Sequence, residues 1–355
     1  MTRVIEFLIS LLIVAALFVV IGLFLPSKRS FTYSVETNRP MSTVYDLFNG
    51  FSRFRDWNPM TRYDPRLTSN LTGPEMGLGA KFSFSSRDAV VGTGNWEIVE
   101  SVPGKIVRYR VTNEARGNDK SMIVTFERTG QSNRNVKITQ EYKVNYGLDL
   151  FGRYAGLYVT RNVGDDIKRG LDRFSSLLAT IPKFDYTQHL NPFSIVDVPA
   201  QDILLVTTTA KRSNDQIAVA MDNQVSWLNK VMAANGLVAD GPLRIVTNEF
   251  TADSYAFDVV MPVRRSSTPE NTPAGERLSL SLEGPVTYDQ IPARKVALTY
   301  FTGPAPGLPR VRDMVRAWAM THGHDTTDRP YEDYMGGVLT MLDEDAKFKV
   351  YWPLK

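Results

Sequence analysis

Val198-Pro199-Ala200-Gln201-Asp202-Ile203-Leu204-Leu205-Val206 has an echo later in the same chain, Ile291-Pro292-Ala293-Arg294-Lys295-Val296-Ala297-Leu298-Thr299. Each stretch is an apolar run opened by Pro-Ala. Each is followed by an amphipathic segment holding a tryptophan, Trp227 in the first copy and Trp318 in the second, and ending in a small turn, Asn235-Gly236 or His322-Gly323. Each copy closes on an apolar strand with a proline near its end, Val259-Val260-Met261-Pro262-Val263 and Val350-Tyr351-Trp352-Pro353-Leu354. Ile217, Met221, Val225, Leu228 and Met232 fall on one helical stripe, and Leu308, Val311, Val315 and Trp318 on its counterpart. A period of roughly ninety residues predicts one duplicated strand-helix-strand-strand unit, with a groove at the pseudo-twofold between its copies. The copies are expected over 194–263 and 279–355, joined by a flexible connector, 264–278, rich in Ser, Thr, Pro and charge.

Outward from the repeat, composition narrows the function. The 355 residues carry a net charge of +3 with basic and acidic residues interspersed, which argues against nucleic acid as a partner. The chain has no cysteine, so disulfides, thiolate nucleophiles and cysteine metal sites are excluded. His322 and His324, near Asp325 and Asp328, read as a polar helix end and turn. No metal and no cofactor is expected.

At the N-terminus, residues 4–25 are almost entirely apolar, with Glu6 the one charge. At about 1.5 Å per residue that length just spans a hydrocarbon core. Its exit, Gly22-Leu23-Phe24-Leu25-Pro26, lacks the small-residue pattern of a cleavage site. Residues 1–29 are therefore expected to be a single-span transmembrane anchor, with the rest of the chain on the exported side.

Between anchor and repeat, Phe31 to Val35 alternates as a strand does, and Val44, Leu47 and Phe48 form a helical stripe. Five further strands are expected at Ala80–Phe84, Gly92–Glu100, Ile106–Val111, Ser121–Arg128 and Val136–Tyr146, followed by an amphipathic helix on Val163, Ile167, Leu171, Phe174 and Leu178. The order, with Arg55-Asp56-Trp57-Asn58-Pro59, Gly77-Leu78-Gly79-Ala80 and Gly92-Thr93-Gly94-Asn95-Trp96-Glu97-Ile98, resembles the START-like, or polyketide cyclase-like (SRPBCC), superfamily over 30–181. The resemblance implies a helix-grip fold, a long helix across a sheet enclosing an apolar cavity for a lipid or polyketide-like compound. It carries over no acid or base. Trp57 and Trp96 are the candidate ligand contacts, with core or cavity-rim packing as the competing reading.

After a polar linker, 182–193, the second copy of the repeat holds a further resemblance. Tyr300-Phe301-Thr302-Gly303-Pro304, Leu308-Pro309, Ala317-Trp318-Ala319, Arg329-Pro330-Tyr331-Glu332-Asp333-Tyr334 and Lys349 to Leu354 follow the order of the GyrI-like domain, the effector-binding domain of AraC- and MerR-type regulators. It covers 194–355 and implies that Glu332 faces a ligand groove, with Tyr300, Tyr334 and Trp352 as neighbouring aromatics. A carboxylate among aromatic rings pairs with a cationic planar ligand or, with its pKa raised by desolvation, acts as a general base. Two departures count against catalysis: Phe301-Thr302 stand before Gly303-Pro304, and Met335-Gly336-Gly337 replaces the family's Asp-Pro. The first copy offers Asn248-Glu249-Phe250 at the comparable place.

The fold class is thus α+β: a helix-grip domain, a duplicated GyrI-like domain and one N-terminal transmembrane helix. Three functions remain open: a membrane-anchored protein binding a hydrophobic or amphipathic small molecule, a hydrolase or cyclase using Glu332 as base, and an interaction scaffold with filled cavities.

Overall fold

The computed structural model describes residues 2–270, 272–327 and 329–355, apart from the side chains of 2, 159, 160 and 162. The chain divides into two compact units, Met1–Ile181 and Pro182–Lys355.

The first unit opens with α1 (Thr2–Phe24), then β1 (Lys28–Thr37), α2 (Met41–Phe48) and two single-turn helices, α3 (Phe54–Trp57) and α4 (Met60–Tyr63). Six strands follow: β2 (Thr68–Thr72), β3 (Lys81–Ser85), β4 (Thr93–Val102), β5 (Ile106–Asn113), β6 (Asn118–Thr129) and β7 (Asn135–Asn145). They form one antiparallel sheet in the order β1-β7-β6-β5-β4-β3-β2. Register shifts at Ile98/Glu100 and Asn118/Ser121 bend it, as extra residues in one strand do. The long α5 (Leu150–Thr180) crosses the sheet, its first turn capped by the Asp149 side chain accepting from the Gly152 N–H. Ile167, Leu171, Phe174 and Leu178 are buried, so the amphipathic stripe is the face turned inward. The helix begins 13 residues before Val163, because its first turns pack on α1 instead and show no stripe of that period. Strand β2, exposed along its whole length, is a sheet edge absent from the expected strands.

The second unit contains β8 (Ser194–Val198), β9 (Gln201–Lys211), α6 (Asn214–Ala234), β10 (Leu237–Ala239), β11 (Leu243–Phe250) and β12 (Ser254–Arg265), then β13 (Thr287–Ile291), β14 (Arg294–Thr302), α7 (Leu308–Thr321), β15 (Tyr331–Tyr334) and β16 (Lys347–Pro353). Its sheet runs β13-β9-β12-β11-β15-β16-β14-β8, with β10 added beside β12. The order is palindromic by copy. Each Pro-Ala pair breaks a strand at the sheet rim, since proline fixes φ and donates no hydrogen bond. The arm before the break then pairs with the opposite copy: β8 with β14, β13 with β9. The repeats therefore exchange their first strands, which a linear reading of two self-contained copies does not anticipate. Residues 182–193 are tied down as well. His189 Nε2 lies 2.9 Å from the Tyr300 carbonyl oxygen, and the Asn191 amide donates to that oxygen at 2.9 Å.

One row of side chains crosses the helix-covered face of this sheet in register, Val206–Val259–Ile245–Glu332–Val350–Thr299. Val206 and Thr299 stand at matching places after Pro199 and Pro292. The first-copy counterpart of Glu332 is therefore Ile245, its direct cross-strand neighbour, and not Asn248-Glu249-Phe250. The copies meet at β11 and β15, where Arg244 Nε donates to Asp333 Oδ1 at 2.8 Å on the other face.

The exchanged arms lead to a crosslinking prediction. Asp197 and Lys295 are exposed and directly opposite. Such pairs lie about 4.5–5.5 Å apart at Cα, within disulfide reach. Mild oxidation of the Asp197→Cys/Lys295→Cys variant should close an intramolecular disulfide, read by peptide mapping. Failure to crosslink would contradict the exchange.

Candidate functional site

Among the described residues, one concave site in each unit is lined by both aromatic and polar side chains suited to a ligand. In the first unit, Phe48, Phe51, Phe54, Phe82 and Phe174 fill one part of the space between α5 and the sheet, with Phe48 and Phe174 ring centroids 4.3 Å apart. The rest stays open as a cavity of about 170 Å³. That is an order of magnitude more than one water requires. Its walls include Trp57, Met60, Trp96, Tyr109, Met122, Val124, Tyr142, Val163, Ile167 and Gly170. Both tryptophans expected as ligand contacts thus line it. Trp96 packs edge-on to Tyr109 at 5.6 Å and Trp57 to Phe174 at 5.7 Å. Trp57 is buried, and among the described residues its Nε1–H has no acceptor. A buried N–H without a partner costs about 1–3 kcal/mol, which a ligand oxygen in the cavity would relieve.

The polar groups around this cavity are held or neutral. The Tyr109 hydroxyl donates to the Phe48 carbonyl, and burial pushes it well above the usual phenol range. Burial likewise raises Tyr142. Buried Lys120 donates to Asn113 Oδ1 at 2.6 Å and to the Ala115 carbonyl, and desolvation lowers it. At the mouth, the Tyr63 hydroxyl donates to Asp166 Oδ1 at 2.7 Å, latching α4 to α5, and Arg169 donates to the same oxygen at 3.3 Å. Gly170 lines the cavity, and the nearest atoms a Cβ there would meet, on Pro59 and the Trp57 carbonyl, lie 3.4 Å or more away. The arrangement offers an apolar, partly aromatic wall with one unpartnered N–H donor.

In the second unit a groove of about 180 Å³ runs between α6 and α7. Ile217 and Met221 line one side, Leu308, Pro309 and Arg312 the other, with Phe250, Tyr255 and Tyr334 from the sheet. Tyr334 is thus a lining residue. Glu332 is fully buried and is not one. Arg312 Nε donates to its Oε1, and among the described residues Oε2 has no partner. Burial raises the Glu332 carboxyl above its ordinary range, with the Arg312 guanidinium pulling the other way. Arg312 lies 5.7 Å from the Tyr255 ring centroid and Arg212, at the groove's edge, 4.4 Å from that of Phe250. Arg212 and Arg312 line the groove, and the buried carboxylate of Glu332 behind it is already paired with Arg312.

The two other candidates lie elsewhere. Tyr300 is exposed on β14, on the same side as Val296 and Leu298 and away from the helices. Trp352 is buried in the core, its Nε1–H donating to the Thr327 carbonyl at 2.6 Å. Residue parity along each strand decides this, and the sequence does not say which face α7 covers. Sequence reasoning missed Arg312. Its signal is a charge inside an apolar arc, four after Leu308 and three before Val315. Among the described residues no cluster of His, Asp and Glu is placed to hold a metal ion; Asp328 lies outside them.

Residues 28–179 match the family model described as polyketide cyclase / dehydrase and lipid transport. No curated protein matches the chain. Among solved structures, the EcmrR C-terminal domain is similar at 17% identity, covering 47% of this chain and 99% of its own, with a TM-score of 0.37. Protein CV1439 from Chromobacterium violaceum is similar at 16% identity, covering 42% and 96%, with a TM-score of 0.31. Truncated norcoclaurine synthase from Thalictrum flavum is similar at 10%, covering 43% and 94%, with a TM-score of 0.33.

The buried pair gives a stability prediction. Arg312→Met leaves a carboxylate buried alone and should cost about 3–5 kcal/mol near neutral pH, while Arg312→Met/Glu332→Leu should recover most of that loss. The sign with pH is set by the raised carboxyl: the folded state holds its proton more tightly than the unfolded one. The single variant's deficit should therefore shrink as pH falls to the ordinary carboxylate range, where Glu332 is protonated in both states. Denaturant unfolding followed by tryptophan emission checks both; a deficit independent of pH would contradict the pairing.

Proposed function

We propose that this chain is a membrane-anchored binding protein for an apolar or amphipathic small molecule, with the cavity of the first unit as its principal site. The observation that carries the reading is the cavity wall itself: apolar and aromatic, with an unpartnered Trp57 N–H and every nearby ionisable group either neutral or engaged. Such a wall binds by burying apolar surface and fixes orientation with a single hydrogen bond. The printed description of the matching family, which includes lipid transport, supports the same class of ligand. Helix α1 supplies the anchor in this reading. Arg3–Phe24 is long and apolar enough to cross a membrane, and 6% of it is buried. In this reading the two units stand on the exported side, where a chain without cysteine has no thiol to oxidise.

The groove of the second unit is read as a site for an amphipathic molecule with an anionic or acceptor end. Arg212 and Arg312 would meet that end, and Phe250, Tyr255 and Tyr334 its body. A hydrolase using Glu332 as base gains less support: a base must come within hydrogen-bond reach of its substrate, and Arg312 occupies that position.

Native mass spectrometry of the full chain, released from nanodiscs and titrated with a medium-chain fatty acid and with naphthol, tests the principal site. Saturable one-to-one adducts are expected, and Gly170→Phe should lose most of them while its unfolding midpoint stays close to that of the parent. No adduct with either probe, or equal adducts in the variant, would overturn the assignment to this cavity.

A further inference from the structure

Helix α1 is not tethered loosely; it is docked on the first turns of α5. The Arg153 guanidinium is buried and donates to the carbonyls of Gly22 at 3.2 Å, Leu23 at 2.8 Å and Leu25 at 3.3 Å, and through Nε to Gly147 at 2.8 Å. It thereby satisfies the last-turn carbonyls of α1, which have no partner within the helix, and places a cation at the negative end of its dipole. The Tyr154 hydroxyl donates to the Phe18 carbonyl at 2.8 Å, and the Tyr154 and Phe18 rings stack at 4.5 Å. Gly22 permits the close approach, because a Cβ there would stand 3.2 Å from Leu150 and Tyr154.

The contact is confined to the end of α1. From Phe18 to Phe24 a helix rises about 9 Å, the depth of the boundary between headgroups and acyl chains. Beside that segment, α5 and the turn before it expose large apolar side chains: Leu148 is 83% exposed, Phe151 64%, Leu157 50% and Tyr158 66%. Water is a poor neighbour for four such groups in one patch, continuous with a helix apolar on every side. Basic groups frame the patch, as they do at anionic lipid surfaces. Arg116 lies over the Phe151 ring at 5.5 Å while pairing with Asp149, and Arg161 is exposed a turn further on.

We infer that Leu148 to Tyr158 forms a second membrane contact, seated in the interfacial layer of the bilayer that α1 spans, so that the first unit stands on the membrane in a fixed orientation. The inference rests on the anchor reading of α1.

The absence of native cysteine makes the test direct. Full-length single-cysteine variants Leu148→Cys, Tyr158→Cys, Leu12→Cys and Val90→Cys, each with an environment-sensitive fluorophore, are placed in vesicles of phosphatidylcholine with a minor fraction of phosphatidylglycerol. Nitroxide lipids labelled in the headgroup region or deep in the acyl chain serve as quenchers. Headgroup-region quenching severalfold stronger at 148 and 158 than at the cavity-mouth position 90, with deep quenching at 12, is the expected result. Deep quenching at 12 with no excess at 148 and 158 would overturn the second contact and leave the anchor standing, the apolar face then belonging to another partner. No deep quenching at 12 would overturn the anchor reading, and the second contact with it.

Discussion

The first unit depends on one helix having two jobs along its length. From Val163 onward, α5 must bury Ile167, Leu171, Phe174 and Leu178 against a bent antiparallel sheet. Before that point Arg153 and Tyr154 hold the end of α1, while Gly156 lets the helix lie close to Arg29 of β1 and to Tyr146. Hydrogen bonds from a charged donor contribute about 1.5–3 kcal/mol each, and those of Arg153 hold the end of α1 against α5. A continuous 31-residue helix transmits that fixed geometry from the apolar segment to the cavity wall.

In the second unit the equivalent constraint is a charge at the meeting of two repeats. Ile245 and Glu332 are counterparts by fold and neighbours by register. An isoleucine at both places would give a symmetric apolar seam. The glutamate instead demands a partner, and Arg312, set inside the apolar arc of α7, provides it. On the opposite face Arg244 and Asp333 form a second buried pair. Buried pairs contribute little net stability, yet losing one member is costly, so together they fix how the repeats meet.

How much of this was legible in the sequence follows from which neighbours each residue has. The second half of α5 was readable because its partner is a sheet and its period is helical. The first half was not, because its partners are another helix and, in our reading, lipid. The duplication was plain in the two Pro-Ala pairs, but the exchange of arms was hidden, since pairing across some ninety residues leaves no local mark. Trp57 and Trp96, named from the order of elements, line the cavity, whereas Tyr300 lies on the face away from the helices and Trp352 is packed into the core. Glu332 was singled out by resemblance; that Arg312 covers it needed three dimensions.

The central claim is that the first unit holds an apolar molecule between α5 and its sheet. Methyl resonances of 13C-methionine report on both candidate sites in one spectrum, because Met60 and Met122 line the cavity while Met221 and Met341 line the groove. Titrating the full chain in nanodiscs with a medium-chain fatty acid should shift Met60 and Met122 saturably. Stationary Met60 and Met122 signals, with any response confined to Met221 and Met341, would contradict it.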